Sequence, residues 1–583
     1  MSVWQELKDR SVVRVAAIYL AASWLMLQVA DLLVDIYDLP EALLRWLGII
    51  LALGLPATLA LSWVYQWTPQ GLIRESDQPV DRRRISGRTI SLTAIILTGL
   101  ATAVYIVGGV VMTNGDGNVV ATTNDRPAGS LAVIPFVNNS DSDETDYFAD
   151  GLSSELLNLL ASVPELRVTG RTSSFRYKGA DVDPRTIGDE LNVAHILEGE
   201  VRKAGDQLRI SVQLIETATG FQVWRENFDR TISDVFQMQD EIAARTVNGL
   251  RVTLVAAPPT VATTDPEAFN LYLNASYHYA LRSPENYDRA LELVYQAIEI
   301  DDNFAPFWTL RSSTYSNQVI IGELEFEEGG ALAKVASERA LEIDPQFPFA
   351  NAARAWHAMY FERDYATAGR FFQRALRLAP GNATILGNSA VYASTIGQLD
   401  RAEELTLAAL VREPISPVTH LNYSSLLNRM GRHVESIDEA MKSLELRPGS
   451  FAATVNLCQA YILSEQSEEA LVCADDIPSD QYRSFIRALA NHSLGRADDT
   501  ETEINALMRQ DQDDASLLLA RIYAWMGQSD HAFEWLERRI VSGGSIMGVK
   551  TDPSFRSLHS DQRWEDTMRA LGLADDQVAE FRL

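Results

Sequence analysis

The sequence predicts a multi-domain protein: three transmembrane α-helices, a small α/β domain, then an all-α solenoid of repeated helix–turn–helix units. Three observations carry this. Apolar runs of membrane-spanning length are confined to the first 112 residues. Short alternating runs separated by turn dipeptides follow, over about 130–256. In the second half Pro345, Pro380, Pro414 and Pro448 recur 35, 34 and 34 residues apart, the period of stacked helix–turn–helix arrays. At 583 residues the chain is too long for one compact domain.

The anchor, residues 1–112, holds apolar runs at about 12–34, 42–65 and 90–112. Each reaches the roughly 20 residues a bilayer requires. Gly54 and Pro56 are expected to bend the second. A signal peptide fits the first run poorly, because it is too long and lacks a small-residue cleavage site. The first link is acidic (Asp35, Asp38, Glu41), whereas the second carries Arg74, Arg82, Arg83, Arg84 and Arg88. Positive residues stay on the cytoplasmic side. The N-terminus and arginine loop are therefore expected inside a bacterial inner membrane, and residues after about 113 in the periplasm. Arg14, Gln28 and Asp31 lie within the first run and are expected at the interface or in helix packing. Residues 113–129 read as a linker with little to bury.

The next segment, 130–256, opens with SLAVIPF, suited to a buried strand. From Asp146 to Ala161, Leu152, Leu156, Leu157 and Leu160 fall at helical spacing. LRVTG reads as a second strand and Pro184–Leu191 as a short helix. Gly205-Asp206 and Thr219-Gly220 then separate three alternating runs, a strand meander. A helix over Asp234–Leu254 closes the domain. The segments SLAVIPFVNNSDSDETDYFADGLSSELLNLL, LRVTGRTSSFRYKG, HILEGEVRKAGDQLRISVQLIETATG and VWRENFDRTISDVFQMQDEIA resemble the amino-terminal domain of TolB-like proteins, of FlgO type. That resemblance implies architecture more than activity. Some relatives carry a cytoplasmic cyclase or winged-helix module, for which the arginine loop, of about 23 residues, leaves no room.

In the array, expected over 265–540, small residues precede the prolines: Ala340, Ala375, Ala409 and Ser443. Ala368, Ala375 and Pro380 repeat in step with Ala402, Ala409 and Pro414. Gly397 and Gly431, 34 apart, are expected to turn the chain between paired helices. Small side chains let helices approach, and proline stops the second helix of a unit. The segments DYATAGRFFQRALRLAP, GQLDRAEELTLAALVREP and GRHVESIDEAMKSLELRP resemble the tetratricopeptide repeat. Gly495 and Gly527 mark two degenerate units, and Trp356 stands where the family has a small residue, so distortion is expected there. Residues 541–583 are expected to form a helical cap.

Seventy-nine acidic and 50 basic residues leave a net charge of −29. A nucleic-acid binder normally shows a basic face, and none is visible outside the short arginine loop, so no nucleic-acid partner is expected. Eight histidines show no metal spacing, and no HExxH, GxSxG, Walker or GxGxxG motif occurs. No catalytic, cofactor or metal residue is expected. RTSSFRYKG, residues 171–179, has hydroxyls and bases suited to an anion, although such loops are more often solvated. The acidic run around Asp511, Asp513 and Asp514 lacks the glycine and glutamate of a calcium loop. Cys458 and Cys473 fall on the two helices of one unit. They are either a disulfide, permitted in an oxidising compartment, or two small buried apolar residues.

The expected function is a non-enzymatic, membrane-anchored extracytoplasmic scaffold binding protein partners on its repeat surface. The spans would contact the lipid bilayer and integral membrane proteins. Self-association is compatible with the α/β domain, and no residue specifies it. The alternative is a transmembrane sensor or regulator that signals to a separate cytoplasmic protein.

Overall fold

The structure is a computed structural model. It describes residues 19, 23–24, 26–27, 51, 65–68, 71–74, 126–140, 146–250, 263–510, 512–543, 545–579, 581 and 583. The chain divides into two compact units, 1–121 and 122–583.

In the first unit the Tyr19 hydroxyl donates to the Leu51 carbonyl at 2.9 Å. Tyr65, the last residue of the second predicted span, instead opens strand β1 (Tyr65–Thr68), which pairs antiparallel with β2 (Gly71–Arg74). Arg74 thus ends a strand. Arg82, Arg83, Arg84 and Arg88, and most of the three spans, lie outside the described residues. No described helix is long and apolar enough to cross a membrane.

The second unit opens with the α/β domain. Its elements are β3 (Ser130–Val133), β4 (Val137–Asn138), α1 (Asp146–Ala161), β5 (Arg167–Val168), α2 (Arg171–Phe175), α3 (Pro184–Glu190), β6 (His195–Ala204), β7 (Gln207–Glu216), β8 (Phe221–Thr231) and α4 (Val235–Gly249). They form one mixed six-stranded sheet, ordered β5-β3-β6-β7-β8, with β4 beside β6. β3 runs parallel to β5 and β6, and β6 to β8 are an antiparallel meander. Leu152, Leu156 and Leu160, four apart on one face of α1, bury against Leu131, Val133 and Leu197. Arg126, within the predicted linker, belongs to this domain. Its guanidinium donates to Thr217 Oγ1 at 2.6 Å and pairs with Asp189.

Eight helical pairs follow among the described residues. They are α5 (Pro266–Leu281) with α6 (Pro284–Ile300), α7 (Ala305–Ile320) with α8 (Phe326–Ile343), α9 (Pro348–His357) with α10 (Tyr365–Leu378), and α11 (Ala383–Thr395) with α12 (Leu399–Leu410). Next come α13 (Pro417–Met430) with α14 (His433–Leu446), α15 (Phe451–Leu463) with α16 (Ser467–Ala474), α17 (Asp480–Ser493) with α18 (Ala497–Met508), and α19 (Gln512–Trp525) with α20 (Ser529–Val541). This is a solenoid of tetratricopeptide type. Between the helices of each pair sits one left-handed residue: Arg282, Gly322, Arg363, Gly397, Gly431, Glu465, Gly495 or Gly527. Ala340, Ala368, Ala375, Ala402 and Ala409 are buried between helices. Pro345, Pro380, Pro414 and Pro448 follow the ends of α8, α10, α12 and α14. Near Trp356 the regular helix gives way to a π-helical turn, Ala358–Glu362, whose Tyr360 stacks on the indole at 6.2 Å.

Residues 541–583 do more than cover the last pair. Turns of 3-10 helix at Val549–Thr551 and Pro553–Leu558 lead into α21 (Gln562–Ala570) and α22 (Asp575–Val578). Phe555, Leu558 and Leu573 join the core formed with Phe372, Tyr392 and Phe485. The segment folds back because those apolar side chains have more surface to bury along the array than beyond its end.

Candidate binding channel

The apolar core of the α/β domain runs without a break into Phe269 and Leu273 of α5 and Phe304 and Phe307 at the start of α7. α1 lies directly on α5. A Cβ on Gly151 would come within 2.8 Å of Leu273, so this approach requires glycine. Tyr147 donates to Asn270 at 3.2 Å and Tyr272 to Glu155 at 3.2 Å across the same seam.

A second contact joins the domain to the fourth pair, about 240 residues onward in sequence. The Thr172 and Ser173 amides donate to the two Glu413 carboxylate oxygens at 3.1 and 2.8 Å. The Gly170 amide donates to the Arg412 carbonyl at 2.8 Å, and the Ile415 amide to Ser173 Oγ at 3.3 Å. A Cβ at Gly170 would overlap the carboxylate. The segment 171–179, which the sequence singles out as suited to an anion, thus presents its amides to an anion of the same chain. Burial raises the Glu413 pKa, and the Ser173 and Thr172 donors pull it back.

These contacts make the α/β domain a bridge between the first and fourth pairs. They border a channel of about 1470 Å³ that is partly open to solvent. Its walls come from the first helices of the pairs (α5, α7, α9, α11 and α13), from α1 and α2 opposite, and from Met547 and Gly548 of the returning C-terminus. Arg429 fixes that return, donating to the Gly548 carbonyl at 2.8 Å and to Thr551 Oγ1 at 2.7 Å. The walls mix aromatic and neutral polar side chains with charged ones, among them Glu155, Arg171, Arg176, Arg282 and Glu413. Asn388 and Asn422 occupy equivalent places on α11 and α13, half-buried and without a hydrogen-bond partner among the described residues. Glu155 is pushed up to about 7 by burial, with the Tyr272 hydroxyl acting in the opposite direction. Volume, curvature and paired amide groups suit a polymer segment. Pockets for small ligands typically span about 300–1,000 Å³.

Of the other described residues of the second unit marked in the sequence, Trp356 lines the channel, whereas the repeat alanines, prolines and glycines and the two cysteines do not. The alanines sit in helix-packing seams, Pro345, Pro380 and Pro448 are exposed just past helix ends, and Gly397 and Gly431 form turns. Cys458 and Cys473 are joined by a disulfide between α15 and α16, with Cα atoms 5.6 Å apart. No group of three His, Cys, Asp or Glu among the described residues is arranged to hold a metal. Glu413, Glu155, Asn388 and Asn422 were not marked. The 34-residue interval between the two asparagines was the one available signal.

The family model for the second domain of HilA/YgeH-like transcriptional regulators matches residues 127–245. A curated relative, a putative adenylate cyclase 3 of Rhizobium meliloti (strain 1021), is 37% identical over 180 residues. That stretch is 30% of this chain and 31% of the relative, so the chain spans under a third of that protein's length. Among solved structures, a human IFIT1 dimer is similar with TM-score 0.34 and 15% identity, over 52% of this chain and 77% of its own. A tetratricopeptide repeat protein of Parabacteroides merdae ATCC 43184 has TM-score 0.32 and 13% identity, over 43% and 97%. A thermophilic TPR protein of Thermus thermophilus has TM-score 0.28 and 20% identity, over 33% and 99%.

Proposed function

We propose that this protein is a non-enzymatic scaffold that holds a segment of a protein partner in its channel. It would act as an accessory subunit of an envelope or membrane complex. The observation that carries this reading is the channel walled mainly by the first helices of consecutive repeat pairs. Repeat arrays use such concave surfaces for binding.

The finer reading places the chain in a bacterial inner membrane. Three spans within residues 1–112 anchor it, with the N-terminus cytoplasmic and residues after about 113 periplasmic. The arginine loop supports that orientation, and the Cys458–Cys473 disulfide fits an oxidising compartment. In this reading residues 130–256 are a TolB-like, FlgO-type domain.

The test is site-specific photo-crosslinking in native membranes. A crosslinker at Asn388 or Asn422 should capture a discrete partner, and one at Leu407, exposed on the outer helix α12, should not. Equal capture at all three positions would defeat the reading. Alkaline phosphatase fused after residue 113 should be active; an inactive fusion would overturn the periplasmic placement.

A second reading, a sensor or regulator, draws support from the regulatory descriptions of the HilA/YgeH-like match and the cyclase relative. Transcriptional control and cyclisation belong to those proteins. Here the signal would pass through the spans to a separate cytoplasmic protein.

A further inference from the structure

The chain carries a net charge of −29, yet three guanidiniums that make no ion pair with any described residue line one end of the channel: Arg171, Arg176 and Arg282. Arg171 donates through Nε to Ser154 Oγ at 3.0 Å and lies over the Phe175 ring at 3.9 Å. The two acids nearest to it are already engaged. Asp150 pairs with Lys178 at 2.7 Å, and Glu413 receives the Thr172 and Ser173 amides. Arg176 and Arg282 are exposed to the channel; Arg282 is the left-handed turn residue of the first pair. Asp150 and Glu413 act on Arg171 from a distance without pairing with it, so a cluster of three cations with no ion pair of its own in so acidic a chain points to an anion supplied from outside.

We propose that Arg171, Arg176 and Arg282 seat the acidic side chains of an extended peptide segment belonging to the partner. This rests on the scaffold reading above and names the chemistry of what the scaffold holds. Asn388 and Asn422, further along the channel, offer both a donor and an acceptor, the pair a peptide backbone requires. A nucleic acid fits less well. Its affinity comes from neutralising many phosphates on a basic surface, and three arginines in a strongly acidic body cannot supply that.

The experiment uses the full chain in lipid nanodiscs and fluorescence anisotropy. The probes are fluorescein-labelled decaglutamate, decalysine and a ten-nucleotide oligothymidine. Decaglutamate should bind, more weakly as salt rises, and decalysine should not. Arg176→Glu and Arg282→Glu should each weaken binding at least about tenfold, the loss expected for one charged hydrogen-bonding partner. Arg377→Glu makes the same charge change outside the channel and should alter binding less than twofold. Absent decaglutamate binding, equal loss in Arg377→Glu, or tighter binding of oligothymidine would each overturn the proposal. If decaglutamate fails while crosslinks at Asn388 and Asn422 persist, the arginine cluster is not the seat and the scaffold reading survives.

Discussion

Replacing Glu413 by alanine removes the acceptor of two backbone amides, Thr172 at 3.1 Å and Ser173 at 2.8 Å. Hydrogen bonds to a charged group are worth about 1.5–3 kcal/mol each. Against that loss stands the burial cost that raises the carboxyl pKa and disappears with the side chain. The balance is a destabilisation of the bridge by about 2–3 kcal/mol, since buried amides left without an acceptor are themselves costly. At about 1.4 kcal/mol per factor of ten, local opening becomes roughly 30- to 150-fold more frequent. Hydrogen exchange on the full chain reads this directly. Peptides covering 168–177 and 408–420 should lose protection together, while α17 to α20 keep theirs. Glu413→Gln retains one acceptor oxygen and should fall between wild type and alanine. Lost protection confined to 408–420, with 168–177 unchanged, would show that the carboxylate does not hold the domain and would refute the reasoning.

Three further outcomes follow from the same geometry. Glu155 has a folded pKa of about 7 against an ordinary 4.5, so between those pH values the folded state keeps a proton that the unfolded chain has released. Its contribution is fully present below about pH 4.5 and lost as pH rises through 7, at most about 3 kcal/mol; urea unfolding at pH 5 and 8 should show that slope in wild type and not in Glu155→Gln. Gly397 has φ +90° with Lys550 Cε 3.1 Å from where a Cβ would stand, so Gly397→Ala should lower stability by about 1–2 kcal/mol, measured by thermal unfolding. The Cys458–Cys473 bridge closes a loop of separation 15, which constrains the unfolded chain by about 3 kcal/mol; reduction should release α15 and α16 in hydrogen exchange, and unchanged exchange would contradict the assignment.

Local periodicity explains what was legible. The leucines of α1 mark its bounds because one buried helical face repeats every three to four residues. The meander is visible because glycine punctuates alternating strands. Helix α2 escaped notice, since five residues are too few to show a period. The eight turns divide the same way. Gly397, Gly431, Gly495 and Gly527 were visible and Gly322 was passed over, whereas Arg282, Arg363 and Glu465 adopt the same left-handed conformation with side chains that give no local sign of it. The channel was not legible at all. Its closure rests on Glu413 meeting amides about 240 residues away and on Gly151 meeting Leu273, and neither partner carries a pattern that names the other.

The two contacts that close the channel differ in kind, and that difference bears on how a segment enters. The seam between α1 and α5 is continuous apolar core, with Leu156, Phe269 and Phe304 in one cluster, so opening it would expose several large side chains at about 1.5–3 kcal/mol each. The Glu413 contact is polar and local. Opening restricted to it costs a few kcal/mol, which leaves an open fraction on the order of one per cent. A segment that enters sideways would bind only that fraction, and its affinity would be reduced by the same factor. Glu413→Ala would then strengthen decaglutamate binding even though it removes a contact and leaves Arg171, Arg176 and Arg282 intact. A segment threading from either end of the channel gains only from removal of the Glu413 charge beside Arg171, a gain that salt screens. A strengthening that persists at high salt therefore separates the α/β domain as a hinged wall from the α/β domain as a fixed one.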